Sequence, residues 1–161
     1  MLVAFFVGLL AIVFLDQLTK YIVVMQLKPV GTLPLLEDVF HLTYVENSGA
    51  GFGILQDYTW LLSVVSAVAS AALIGYVLVK KPKHAWLMLA VTFLTGGAVG
   101  NLIDRVRLGY VIDFLDFRWI NFPVFNVADC FVTVGAVVLA VYIAFFSGNG
   151  DKKTAETGEK E

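Results

Sequence analysis

Charge is scarce in this chain. Asp, Glu, Lys and Arg make up 15% of its 161 residues, against roughly 25% in an ordinary soluble domain. Hydrophobic residues make up 59%, and the mean hydropathy is +0.84. A soluble domain of this size has no interior large enough to hide that much apolar surface, so lipid must cover part of it. There is one cysteine, Cys130, which excludes an internal disulfide framework. The two histidines, His41 and His84, lie in separate segments, so no metal site built on His and Cys is expected, and no cofactor. A net charge of −2 offers no electrostatic footprint for nucleic acid.

Four long apolar runs are present instead. Crossing a hydrocarbon core takes about 20 helical residues at about 1.5 Å each. The runs from Leu2 to Met25, Thr59 to Val79, His84 to Ile103 and Val127 to Phe146 each suffice. The first lacks the basic flank and small-x-small site of a cleavable leader, and Asp16 and Lys20 interrupt it, so it is read as a retained helix. The expected fold is an all-α membrane protein of four transmembrane helices over residues 1–147. The stretch 148–161 is expected to be a disordered cytoplasmic tail, having no apolar residue larger than Ala155. Both termini then share one side. The short KKPK connection, Lys80 to Lys83, has no acidic residue to offset it and assigns that side to the cytoplasm.

With this parity the intramembrane polar groups gather at one depth. Asp16 lies about 21 Å along the first helix. Asn101, Asp104 and Arg105 end the third, and Asn126 and Asp129 begin the fourth. A carboxylate costs ~2.5–3.5 kcal/mol at a helix centre and less near an interface, so each needs a reason. Asp16 and Lys20 are four residues apart and can pair with each other. Asp104 beside Arg105 has an interfacial charge pair available. Asp129 has no basic residue within four positions, so its partner must come from elsewhere. Asn126 shares its face and can also cap the helix. In the third connection, Asp113 sits among Val111, Ile112, Phe114 and Leu115, a setting that raises a carboxyl's pKa and suits acid/base work. A loop Asp bonded to local backbone is the plainer alternative. Asp116, near Arg118, has an ordinary surface role open to it.

The first connection, about Gln26 to Tyr58, contains DVFHLTYVEN, whose period of two suggests a strand at the membrane surface. His41 belongs to that strand rather than to catalysis. NSGAGFG follows, with glycines that permit tight turns or close backbone approach to a ligand.

Taken together, these segments resemble the lipoprotein signal peptidase (signal peptidase II) family. The first helix carries DQLTK, Asp16 to Lys20, and the first connection carries N-x-G-x-x-F at Asn47, Gly49 and Phe52. GNLIDRVRLGYVIDF, Gly100 to Phe114, resembles GN-x-x-DR-x-x-x-G-x-V-x-DF, and FNVADCFVTVG resembles FN-x-AD. Gly51 stands where Ala is more usual, and Cys130 where Ser is common. The resemblance implies an aspartic endopeptidase of the bacterial cytoplasmic (inner) membrane, with its active site near the outer face. It would remove the signal peptide from lipid-modified prolipoproteins, cutting just before the diacylglyceryl-cysteine. It implies Asp113 and Asp129 as the catalytic pair. Asp16, Lys20, Asn47, Gly49, Asn101, Asp104, Arg105, Asn126 and Ala128 would serve as supports and substrate contacts. It also implies a small outer β-cradle in the first extracytoplasmic loop, and cyclic peptide antibiotics of the globomycin type as inhibitors. Membrane lipid and prolipoproteins are the expected partners, nucleic acid is not, and a monomer is expected.

The residue types suit this chemistry without the family. Hydrolysis without metal, Ser or Cys needs a base for water and an acid for the leaving amine, and two carboxyls sharing one proton supply both. The competing class is a small four-helix transporter or proton-relay subunit. It would need polar groups through the cytoplasmic half as well, where the helices have no ionisable residue. A non-catalytic scaffold would explain the small residues of the second and third helices but not two unpaired carboxyls.

Overall fold

A computed structural model of the protein describes residues 1–49 and 58–147. Gly51 and Phe52 of the glycine-rich segment, and the tail expected over 148–161, lie outside the described residues. Four helices are each long and apolar enough to cross a membrane: α1 (Leu2–Gln26), α2 (Thr59–Lys80), α3 (Ala85–Leu108) and α4 (Val127–Phe145). Their outward faces are apolar, with Val3, Phe14, Val68, Val79 and Phe145 all more than half exposed. That pattern is what a helix surrounded by hydrocarbon requires.

One helix organises the other three. Half of the α3 span is buried, against 11–17% of the others. It packs on α1, α2 and α4, while α2 makes little contact with either α1 or α4. The close approaches use small residues, as helices in lipid must when water does not drive them together. Gly96 faces Ile12 of α1, Gly97 faces the Ala128 backbone and Val132 of α4, and Gly135 of α4 meets Phe93 and Leu94. At one end of the bundle Phe5, Leu9, Val77, Met88 and Val91 form a core; at the other Val23, Leu27, Ile112 and Phe114 do.

A three-stranded antiparallel sheet caps the second end, in the order β1 (Thr32–Leu36), β2 (Phe40–Asn47), β3 (Val111–Phe117). The first connection supplies both β1 and β2; its alternation predicts β2 alone. Pro34 is tolerated in β1 because an edge strand can lack a donor. The third strand comes from the connection between α3 and α4, so the sheet extends beyond the first loop and Asp113 lies in a strand rather than a loop. No alternation announces β3, because Val111, Ile112, Asp113 and Phe114 are all buried. A strand covered on both faces reads as a continuous run.

Helix α3 also continues five residues past Ile103. It stops at Gly109, whose φ of 83° closes the last turn with its N–H on the Arg105 carbonyl.

Candidate active site

Local structure explains how residues distant in sequence meet at the sheet end of the bundle. After β3 the chain makes a short 3-10 turn, Arg118–Ile120, and doubles back. Phe125 then pairs with Leu115, its N–H reaching the Leu115 carbonyl at 3.1 Å and its carbonyl accepting the Leu115 N–H at 2.8 Å. This return sets Asn126 beside Asp113. Asn126 begins α4 with a capping box: its side chain accepts the Asp129 N–H at 3.0 Å, and the Asp129 carboxylate accepts the Asn126 N–H at 3.3 Å. The same Asn126 donates through Nδ2 to Asp113 Oδ1 at 2.5 Å. One residue therefore binds both carboxyls.

Each carboxyl has a second amide donor. Asn47 lies diagonally across from Asp113, because a bulge between Leu42 and Val45 sets Val45 opposite Asp113 and Asn47 opposite Val111. Its Nδ2 donates to Asp113 Oδ2 at 2.8 Å. Asn101 of α3 donates to Asp129 Oδ1 at 2.7 Å. Asp113 is 1% exposed. Its pKa is pushed up to about 7, chiefly by burial; the Asn47 bond opposes the rise and the Asp129 charge adds to it. Asp113 and Asp129 line a cavity of about 450 Å³ together with Asn47, Gly49, Asn101 and Arg105. Its remaining wall is largely apolar, from Phe122, Pro123, Val124, Phe125 and Val134 among others.

Behind the cavity is a buried ionic cluster. Lys20 pairs with Asp16 at 2.9 Å, as the four-residue spacing predicts, and also with Asp104 at 2.8 Å. Asp104 thus finds its partner on α1 rather than in the adjacent Arg105, and it accepts the Ile112 N–H at 3.2 Å as well. Asp16 Oδ1 accepts the Ala128 N–H at 2.9 Å and so pins the first turn of α4. Arg105 reaches the Gly49 carbonyl at 3.4 Å, and among the described residues it forms no ion pair. Asn47, Gly49, Asn101, Arg105, Asp113 and Asp129 thus line the cavity, with Asn126 bonded to both carboxyls and Asp16, Lys20, Asp104 and Ala128 behind them.

Others fall outside it. Asp116 is not at the surface as expected: it is buried in β3, where Thr43 donates to it at 2.6 Å and Arg118 at 3.0 Å. Burial raises its pKa, but those two bonds outweigh it and hold the carboxyl below its usual range. His41 is buried in β2, and neither ring nitrogen has a hydrogen-bond partner among the described residues. Two contributors were missed. Gln17 bridges α1 and α3, donating to Asp104 Oδ1 at 2.9 Å and the Gly100 carbonyl at 3.2 Å. Thr133 lines the cavity. The signals were a lone amide beside Asp16 in an apolar run, and a hydroxyl one turn after Asp129. Among the described residues no group of three or more His, Cys, Asp or Glu side chains is placed to hold a metal ion.

Comparison with known proteins gives the family and the fold. Residues 8–145 match the family described as Signal peptidase (SPase) II. The lipoprotein signal peptidase of Caldanaerobacter subterraneus subsp. tengcongensis is 50% identical over 138 residues, covering 85% of this chain and 92% of that protein. That of Clostridioides difficile is 48% identical over 132 residues, covering 82% and 88%. A bacterial membrane enzyme solved by the in meso method at 2.3 Å resolution superposes with a TM-score of 0.80 at 28% identity, over 92% of this chain and 91% of that one. With its sequence matched over almost all the described residues and its fold shared with a bacterial membrane enzyme, the chain belongs to the signal peptidase II family.

Proposed function

We propose that this protein is an intramembrane aspartic endopeptidase that removes the signal peptide from lipid-modified prolipoproteins, cutting just before the diacylglyceryl-cysteine. The observation that carries the reading is that Asp113 and Asp129 share one cavity wall and are both bound by Asn126. Two carboxyls so placed resist double ionisation and hold one proton between them. The ionised member takes a proton from water as it attacks the scissile carbonyl. The neutral member then protonates the leaving amine. The amides of Asn47, Asn101 and Asn126 fix both carboxyls without adding charge, and Arg105 offers a cation to the oxygen that becomes negative.

The cavity's mixed lining suits a substrate with lipid chains on one side of the scissile bond and an apolar helix on the other. The termini are assigned to the cytoplasm and the sheet to the opposite face, where water reaches the bond while acyl chains stay in the bilayer. Cyclic peptides of the globomycin type are expected to compete for the same cavity. A relay function is less suited to the charge distribution. Asp16, Lys20, Asp104, Arg105, Arg107 and Asp129 all lie in the sheet-side halves of their helices, and Lys80 ends α2 at the opposite face.

Asparagine in place of either aspartate keeps the shape but cannot exchange a proton. Asp113→Asn and Asp129→Asn should each lower kcat on a lipid-modified prolipoprotein by more than about a hundredfold, and the double variant should be scarcely worse, since the pair acts as a unit. Folding and membrane insertion should persist. Purified Asp129→Asn protein that retains more than a few per cent of parental turnover would sink the mechanism.

A further inference from the structure

Three asparagine side chains hold the two carboxyls, and each must face the right way to do so. An amide's oxygen and nitrogen are nearly equal in shape, so its neighbours decide which way it turns. Two of the three are set by nearby backbone: Asn47 Oδ1 accepts the Gly49 N–H at 3.0 Å, and Asn126 Oδ1 accepts the Asp129 N–H at 3.0 Å. Asn101 is set differently. Its Oδ1 accepts from Lys20 Nζ at 2.9 Å and from Asn126 Nδ2 at 3.1 Å. Lys20 belongs to a different helix and is 2% exposed. An ammonium only donates, so it rejects the Asn101 NH2 group and can bond only the oxygen. That choice turns Asn101 Nδ2 toward Asp129.

Lys20 has no freedom to do otherwise. Its three N–H bonds go to Asp16, Asp104 and Asn101, all within 2.9 Å. Gln17 ties the two flanking carboxylates together, reaching Asp104 at 2.9 Å and Asp16 at 3.3 Å. A Cβ on Gly100 would come within 2.7 Å of Asp16 Oδ2, so that carboxylate is wedged against the α3 backbone. The chain of contacts runs from α1 through Lys20 and Asn101 to Asp129.

We propose that Lys20 is a positioning residue for the proposed hydrolysis: by claiming the Asn101 oxygen it delivers an amide N–H to Asp129 and holds that carboxylate at the cavity wall. Without the ammonium, only the longer Asn126 Nδ2 bond at 3.1 Å holds the Asn101 oxygen, so the amide turns more readily and can set an oxygen against Asp129, which repels it. The role rests on the paired-carboxyl mechanism.

Two measurements on purified, full-length enzyme test it. Lys20→Met keeps the chain length and removes the donor. If it does not fold, Lys20→Met combined with Asp104→Asn takes its place, removing one buried charge of each sign. In the parent background kcat should fall tenfold or more, with KM changed less than threefold. In an Asn101→Ala background, followed by single turnover over long incubation, the same change should cost less than twofold, because Lys20 then has nothing to turn. Equal factors in the two backgrounds, or no loss in either, overturn the proposal.

The second measurement needs no activity. The side-chain amide resonances of Asn101, assigned by their loss in Asn101→Ala, should lie downfield while bonded to the carboxylate and move to the position of a free amide in Lys20→Met. Resonances that do not move overturn the proposal. An Asp129→Asn control that stays active defeats the paired-carboxyl mechanism instead, while the amide spectrum still decides whether Lys20 holds Asn101.

Discussion

Asn126 does at one position what usually takes two residues. It satisfies a free N–H at the start of α4 and donates to Asp113, so the geometry of a helix cap becomes the spacing of a candidate catalytic pair. Asp113 is the member whose proton should govern pH dependence. Its pKa of about 7 means that it is protonated below neutrality and ionised above. Ionisation places a second negative charge near Asp129 and removes the shared proton. The kcat/KM should therefore fall about tenfold per unit above pH 7, with an apparent pKa that belongs to the pair. A profile that stays flat from pH 7 to pH 9 would contradict this. The same shift has a consequence for stability. Between the ordinary carboxyl value of 3.8 and about 7, the folded state binds more protons than the unfolded one. This group's stabilising contribution is therefore full at low pH and lost as pH rises through 7. Asp113→Asn removes that loss, so its melting temperature in detergent should exceed the parent's at pH 8, with the gap narrowing toward pH 4.

At the scale of elements, α3 and α4 are held together by the absence of side chains. A Cβ on Gly97 would overlap the Ala128 carbonyl oxygen, and one on Gly100 would strike Asp16 and approach Ala128. Neither neighbour can move cheaply, since one is backbone and the other is pinned by Lys20. Gly97→Ala and Gly100→Ala should each destabilise the protein by roughly 1–3 kcal/mol, and both should lower activity because they displace the first turn of α4. Gly75→Ala meets nothing within 4 Å and serves as the control, expected to be neutral or slightly stabilising. Thermal unfolding of the three variants checks the order.

The helices themselves were legible in the sequence, because twenty apolar residues between polar turns have few other uses. The polar side chains were legible as a cluster, because helix parity alone brings Asp16, Asp104 and Asp129 to one depth. Which of them pair was not. Asp104 turned to Lys20 across 84 residues of chain and left its neighbour Arg105 to the cavity. Strand β3 was hidden for a related reason: burial on both faces erased the period of two, and its pairing with β2 and the return through Phe125 are both long-range contacts.

For the molecule as a whole, orientation is what determines which compartment the cavity serves. Lys80, Lys81 and Lys83 are exposed at the end opposite the sheet, with a partly exposed Trp86 beside them. We propose that this cationic cluster faces the cytoplasm, by the bias of short Lys-rich connections toward that side. Single cysteines at Lys83 and at Glu37, on the turn between β1 and β2, placed in a Cys130→Ser background, report the topology on intact cells. A membrane-impermeant thiol reagent should label position 37 and spare position 83; the reverse pattern would invert the molecule and put the cavity on the cytoplasmic face.

The central place of α3 also bears on how the protein is made. Helices leave the ribosome in chain order, so α1 and α2 enter the bilayer before the segment that both of them pack against. They have little surface for each other, and no bundle can form until the third span arrives. When it does, it carries Asp104 to meet Lys20 and Gly96 to meet Ile12. Until then a lysine and an aspartate wait in lipid, neutralised only by one another. The pair that later stands behind the cavity is thus also what offsets the charges of the first helix before its partners on α3 arrive.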